Sequence, residues 1–298
     1  MKKGIWYIGS LLLLGACSAD GMEVESFMHV HGLEFDRENP EILYAATHHG
    51  LMEIEEGEWQ HVGEEDVRHD LMGFTMTEDN RMLSSGHPAE ASSLPDPLGM
   101  MESTDQGESW EQTSLEAEVD FHVFDLNRGE EEVQYGINAA DGEMMRTDDG
   151  GNSWDTAEME NMMLDYPDIF TLISNPDEPD VLLAGVQDGI HRSEDGGDSW
   201  EMIKDDGTIV SAAAAHDRLY AYMLDEEGSR LSVSEDFGET WEALPLELEE
   251  DAVTQIAVDP ENEDRIAGGS GGENVYLSED GGETWTTLAE AGEPIPQD

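Results

Sequence analysis

Lysine is nearly missing from this chain. Of 298 residues only Lys2, Lys3 and Lys204 are lysine, and arginine raises the basic total to 12 against 72 Asp and Glu. A formal charge of −60 excludes a nucleic-acid binder working through a basic face. Cysteine is equally scarce: Cys17 stands alone, so no intrachain disulfide can form. The one apolar run, Gly4 to Leu14, is too short to span a bilayer comfortably. Calcium loops are missing too, since no D-x-[DN]-x-[DN]-G stretch ends in a bidentate Glu and the acids are spread over every segment. What is present argues for a folded protein: 38% hydrophobic residues, with 7 Trp, 7 Tyr and 7 Phe, supply a packed core for one large domain or two ordinary ones.

So lopsided a charge pushes a compact state apart in dilute buffer. At molar ionic strength the Debye length falls to ~3 Å and neighbouring carboxylates scarcely feel one another. The composition therefore reads as adaptation to brine, and loss of folded structure on dialysis to low salt is expected.

The N-terminus reads as an export signal. Lys2 and Lys3 form a positive end, Gly4 to Leu14 the apolar stretch, and Leu14-Gly-Ala-Cys17 its close. This ending resembles the bacterial lipobox, which implies cleavage before Cys17 and diacylation of its thiol. The expected organisation is a signal peptide over 1–16, a lipidated cysteine and tether over 17–26, a globular domain over 27–290 and a flexible tail over 291–298. The protein would be exported and anchored to the outer face of the bacterial membrane through Cys17.

One pattern recurs five times: Ser103-Thr-Asp105-Gln-Gly-Glu-Ser-Trp110, Thr147-Asp-Asp149-Gly-Gly-Asn-Ser-Trp154, Ser193-Glu-Asp195-Gly-Gly-Asp-Ser-Trp200, Ser234-Glu-Asp236-Phe-Gly-Glu-Thr-Trp241 and Ser278-Glu-Asp280-Gly-Gly-Glu-Thr-Trp285. The aspartates are 44, 46, 41 and 44 residues apart. Such a period means repeated units that each leave an apolar face for a neighbour, as in a propeller or solenoid. Within a unit, Ser or Thr and Asp can bond the turn backbone, Gly takes a positive φ, and Trp anchors the next strand. The motif resembles the Asp box of the sialidase and BNR-repeat families, which closes the hairpin between the third and fourth strands of a propeller blade. That resemblance implies that Asp105, Asp149, Asp195, Asp236 and Asp280 are structural. A sixth unit carries a worn turn, Glu56-Gly-Glu-Trp59. Innermost strands are predicted at Val30 to Phe35, Met72 to Met76, Phe121 to Leu126, Ile169 to Ser174, Ile209 to Ala214 and Val253 to Val258. The expected fold is all-β, a six-bladed β-propeller with Asp-box repeats rather than a seven-bladed one, its ring closing where residues 22–27 meet the last blade.

Histidine is unevenly placed. His29, His31, His48, His49, His61, His69, His87 and His122 fall in the first 122 residues, and only His191 and His216 follow. In a propeller the starts of innermost strands and the loops between second and third strands share one mouth, which gathers all of the first eight except His61. Aligned by hand, the innermost strands put His31, Met72, His122, Phe170, Val210 and Thr254 at one level. Two residues nearer the mouth lie His29, Asp70, Asp120, Asp168, Thr208 and Ala252. The candidate metal ligands are therefore His29, His31, His48, His49, His69, Met72, His87, Asp120 and His122. His with Met suits Cu(I), and His with Asp suits Zn²⁺ or Cu²⁺. The alternative is a wet polar channel whose histidines bond water or backbone. Met100 and Met144 share a register with Ile190, Leu231 and Val275 and belong to the core.

A glycoside hydrolase needs two carboxyls about 5 to 10 Å apart, and among 72 acids no pair can be selected. A sialidase would add an arginine trio and a Phe-Arg-Ile-Pro motif, and the latter is missing. The segments His29-Val-His-Gly-Leu33, Ala46-Thr-His-His-Gly50, His69-Asp-Leu-Met-Gly-Phe74, Ser84-Ser-Gly-His-Pro88, Pro97-Leu-Gly99 and Asp120-Phe-His-Val123 resemble bacterial surface lipoproteins labelled glycosyl-hydrolase-like or sortilin-like BNR propellers. That label rests on fold, and fold does not carry function. A second relative by architecture is the propeller of photosystem assembly factors, which implies a scaffold. The loop from His87 to Leu98 overhangs the same mouth, as a lid, a recognition element or a solvated insertion. The expected function is a lipid-anchored binding module whose His-rich face takes copper or zinc. Its alternatives are a glycoside hydrolase acting on extracellular glycans and a scaffold for an envelope protein.

Overall fold

A computed structural model describes residues 24–297, apart from 163–166, 216, 227, 247, 249 and 250. The expected signal peptide over 1–16, the lipidation site Cys17 and His216 lie outside the described residues.

The described chain folds into six antiparallel sheets without a helix, each sheet formed by consecutive strands. The innermost strands are Val30–Phe35, Asp70–Met76, Phe121–Leu126, Ile169–Ser174, Gly207–Ala215 and Val253–Val258. Each touches the next, and the last touches the first, so the sheets form a closed six-bladed propeller. Among the described residues no strand is exchanged between the first and last blades. Instead Val24 and Phe27 are buried in the layer between them, Phe27 stacks on Trp59 with ring centroids 5.0 Å apart, and the Phe27 amide donates to Gly292 O at 2.9 Å. The tail corrects its expectation: Glu293–Pro294 pairs as a fifth strand of the last blade, and the Ile295 amide donates to Leu288 O at 2.8 Å.

Alternation of apolar residues along the inner strands gives each blade two greasy faces, and the buried residues accordingly group into six layers, one per blade interface. The Asp-box tryptophans Trp110, Trp154, Trp200, Trp241 and Trp285 fill five of these layers, and Trp59 of the worn turn fills the sixth. Met100 and Met144 are buried, as expected for core. Each Asp box is closed the same way. In the fourth blade Ser193 Oγ donates to Asp195 Oδ1 at 2.9 Å, and the Ser199 amide and hydroxyl donate to the same carboxylate at 2.8 and 2.6 Å. These donors, the Ser199 hydroxyl first, hold Asp195 below its ordinary pKa.

At the end of the channel away from the histidines, one buried carboxylate ties three blades. Glu34 accepts from Arg37 Nη2 at 2.6 Å within its own blade, from Thr75 Oγ1 at 2.8 Å in the second and from Arg128 Nη2 in the third. Burial pushes its pKa up, but Arg128 and then Arg37 outweigh that and hold it below the usual carboxylate value.

Candidate functional site

The innermost strands bulge near the mouth. Pairing with the second strand skips one residue at His31, His122, Phe170, Val210 and Thr254, and a bulge re-aims the side chain that it frees. His31, His122, Phe170 and Thr254 accordingly line the central channel, a narrow space of about 110 Å³. The second blade departs from this register. Met72 stays paired with Ser85, and the irregularity falls at Gly73, which has φ +55. A Cβ there would lie 2.6 Å from Phe121 O and 2.8 Å from Phe124 Cβ, so the third blade approaches too closely for a side chain. Met72 is consequently buried and does not line the channel, which corrects its nomination as a ligand.

Two groups of potential ligands form at the mouth. In the first, His48 Nδ1 lies 2.7 Å from Asp70 Oδ2, while His31 Nε2 lies 3.5 Å from Asp70 Oδ1 and 3.3 Å from His48 Nδ1. In the second, Asp120 Oδ2 lies 2.7 Å from His122 Nε2 and 3.1 Å from His87 Nε2. In each group one atom from each residue lies within 4.8 Å of the others. Tetrahedral zinc with bonds of ~2.0–2.1 Å sets its ligand atoms about 3.3 Å apart, so small side-chain shifts suffice. The groups adjoin, because Asp70 and His87 are cross-strand partners in the second blade.

The surroundings prepare these atoms. Burial first, opposed by Asp70 and reinforced by His48, His122 and His29, lowers the His31 pKa to about 4, which leaves its imidazole neutral at ordinary pH. Burial also acts to lower the His87 pKa, but the Asp96 hydrogen bond and the Asp120, Asp96 and Asp70 charges prevail and raise it. Asp96 Oδ1 sits 2.6 Å from His87 Nδ1, the carboxylate–histidine arrangement that orients metal-bound imidazoles. The loop after His87 thus folds back to the mouth through Asp96, while Leu98 at its end is buried. Asp70 Oδ1 and Asp120 Oδ1 are buried without a hydrogen-bond partner among the described residues, and buried carboxylate oxygens are costly to leave unsatisfied.

The other nominees divide. His29 is exposed at φ +50, with its ring centroid 4.9 Å from that of His48, and it joins neither group. His49 is exposed and lines a groove next to the first group, together with His61, which had been set apart from the mouth. His69 is buried, and its Nδ1 accepts from the Ala89 amide at 3.0 Å. It is a satisfied core histidine, which corrects its nomination. Asp70 and Asp96 were not nominated. Asp70 had a signal, since it shares a row with Asp120, whereas Asp96 had none beyond its loop.

The fold has relatives in several settings. Residues 94–235 match the family described as photosynthesis system II assembly factor YCF48, and residues 188–294 match sortilin, neurotensin receptor 3. Among solved structures, the GH74 xyloglucanase from Xanthomonas campestris is similar at TM-score 0.58 and 15% identity, covering 90% of this chain and 46% of its own. The GH74 enzyme of Niastella koreensis is similar at 0.59 and 16%, covering 91% and 46%. YCF48 from Cyanidioschyzon merolae is similar at 0.51 and 13%, covering 92% and 88%. The chain therefore spans under half the length of either GH74 protein. No curated protein matches it. With five Asp boxes closing the third-to-fourth-strand hairpins of six sheets, the chain is a six-bladed β-propeller of the BNR type.

Proposed function

We propose that this propeller is an exported, lipid-anchored binding module whose mouth holds divalent transition metal ions, one in each His–Asp group. The observation that carries the reading is the convergence of His31, His48 and Asp70, and of His87, Asp120 and His122, each around one point. With Met72 withdrawn, the donors are imidazole and carboxylate, a set that favours Zn²⁺ or Cu²⁺ over Cu(I). Anchoring at Cys17 would hold the mouth outside the membrane.

The test is metal analysis of protein purified without a His tag or chelating resin, washed in molar salt to strip ions from the acidic surface. Stoichiometric zinc or copper, lost in the His31→Ala, His122→Ala double variant, supports the reading. A wild-type protein that binds none on titration removes it.

A second reading, hydrolysis of an extracellular glycan, is favoured by the GH74 likeness in fold and by two carboxylates, Asp70 and Asp120, at one mouth. Turnover of a glycan panel that survives the same double variant would move the assignment there. The YCF48 match favours a scaffold for an envelope protein, and metal-independent capture of a defined envelope partner would support that instead.

A further inference from the structure

The described chain holds ten fixed cations, nine arginines and Lys204. Nine of them lie within 4.0 Å of a carboxylate. Arg68 is the exception among the described residues, in a chain with six acids for every base. Its Nε and Nη2 both donate to Gly63 O, at 3.1 and 3.0 Å, which fixes the guanidinium and leaves Nη1 with no protein acceptor among the described residues. Its backbone is fixed as well, since Gly50 packs so closely that a Cβ there would meet Arg68 Cα at 2.8 Å.

Arg68 lines the groove between the first two blades, a space of about 640 Å³ shared with His48, His49, His61 and Asp70 and walled by the Pro88 to Ala91 segment. Such a volume suits a small molecule. His61 lines the same groove, and its buried Nδ1 has no hydrogen-bond partner among the described residues. Burial first, then the Arg68 and His49 charges, lower its pKa. Glu65 and Glu90 line the groove as well, but neither carboxylate lies within 4.0 Å of the Arg68 guanidinium, and a pre-positioned guanidinium beside imidazoles is suited to an oxyanion. His48 and Asp70 belong both to this groove and to the first metal group.

We infer that the groove binds a small ligand through a phosphate or carboxylate group held by Arg68, with the ligand's other end reaching the metal at His31, His48 and Asp70. The second anchor rests on the metal reading above, while the Arg68 contact does not.

The test is calorimetric titration of phenylphosphonate and of benzoate into the whole protein, zinc-loaded and metal-free, in molar potassium chloride. The two probes distinguish phosphate from carboxylate. Arg68→Gln should weaken binding of the preferred anion by about tenfold to a hundredfold while zinc stoichiometry stays unchanged. Ala91→Glu, an exposed position on the facing wall, should weaken it comparably by offering Arg68 an internal carboxylate, and Ala91→Gln should not. If Arg68→Gln fails to fold, the Ala91 pair decides. Failure of both anions to bind at millimolar concentration, or equal binding by the variants and wild type, overturns the subsite. A wild-type protein that takes no zinc but binds an anion in an Arg68-dependent way overturns the metal reading and keeps the subsite.

Discussion

Glu34→Gln would remove the buried carboxylate that balances two half-buried guanidiniums. In the wild type Arg37 and Arg128 both donate to it and to Met76 O, the latter at 3.1 and 2.7 Å. The strands joined in this way carry His31, Asp70 and, two residues beyond Asp120, His122. Taking one partner from a fully buried ion pair costs about 3–5 kcal/mol, and here the Arg37 and Arg128 side chains keep 11% and 29% exposure, which lowers the cost. Glutamine keeps an acceptor oxygen for one guanidinium, which places the loss near the lower figure, about 3 kcal/mol, or roughly a hundredfold in the unfolding equilibrium. Urea unfolding followed by tryptophan fluorescence in molar potassium chloride measures it. The salt is informative, since a Debye length of ~3 Å silences exposed pairs but not buried ones. Arg81→Gln, which breaks the more exposed Arg81–Asp79 and Arg81–Glu102 pairs, should therefore lose less than about 1 kcal/mol in the same buffer. The pH dependence has a definite sign. A Glu whose folded pKa is depressed stabilises the fold above its unfolded pKa and ceases to do so as pH falls through the folded value, so wild type and Glu34→Gln should converge in acid. A loss under about 1 kcal/mol for Glu34→Gln, or an equal loss for Arg81→Gln, would refute the reasoning.

Buried Asp125 has the opposite sign: burial lifts its pKa to about 6, against the Ser174 hydrogen bonds and the Arg128 charge. Its folded pKa exceeds the unfolded one, so its cost to the fold develops as pH rises through that interval, to roughly 3 kcal/mol. Asp125→Asn should therefore gain on wild type between about pH 4 and 6, and a flat difference in denaturant unfolding across that range would contradict this. Asp195→Ala removes three hydrogen bonds and should cost about 1–3 kcal/mol in thermal melting with zinc stoichiometry unchanged. A fall in zinc content in a variant that remains folded would show that the Asp boxes are not purely structural. Dialysis to low salt should abolish the β signal in circular dichroism, and an unchanged spectrum would remove the brine reading of the charge.

The ring was legible because its determinants are local and repeated. Five Asp boxes at a near-constant spacing mark the same hairpin, and the inner strands are apolar runs that begin 26–29 residues before the Asp in four blades and 35 before it in the second, where the loop after His87 intervenes. Four of the six innermost strands begin and end where the apolar pattern places them, and the other two are longer. The site was less legible because it depends on contacts between blades. Counting residues evenly puts Met72 level with His31, but the close approach of Phe121 and Phe124 moves the second blade's bulge to Gly73. His69 precedes an inner strand as His29 does, yet the path of the following loop gives it the Ala89 amide and seals it. Asp70 was one acid among 72 until the fold set it between His31 and His48. Asp96 reaches His87 through the conformation of a loop that no periodicity describes.

Anomalous diffraction at the zinc and copper absorption edges, from crystals grown in high salt and soaked with each ion, tests the central claim most directly. The expected result is one peak within bonding distance of His31, His48 and Asp70 and a second within bonding distance of His87, Asp120 and His122. A map with no peak at this mouth, or with peaks scattered over surface carboxylates instead, would contradict it.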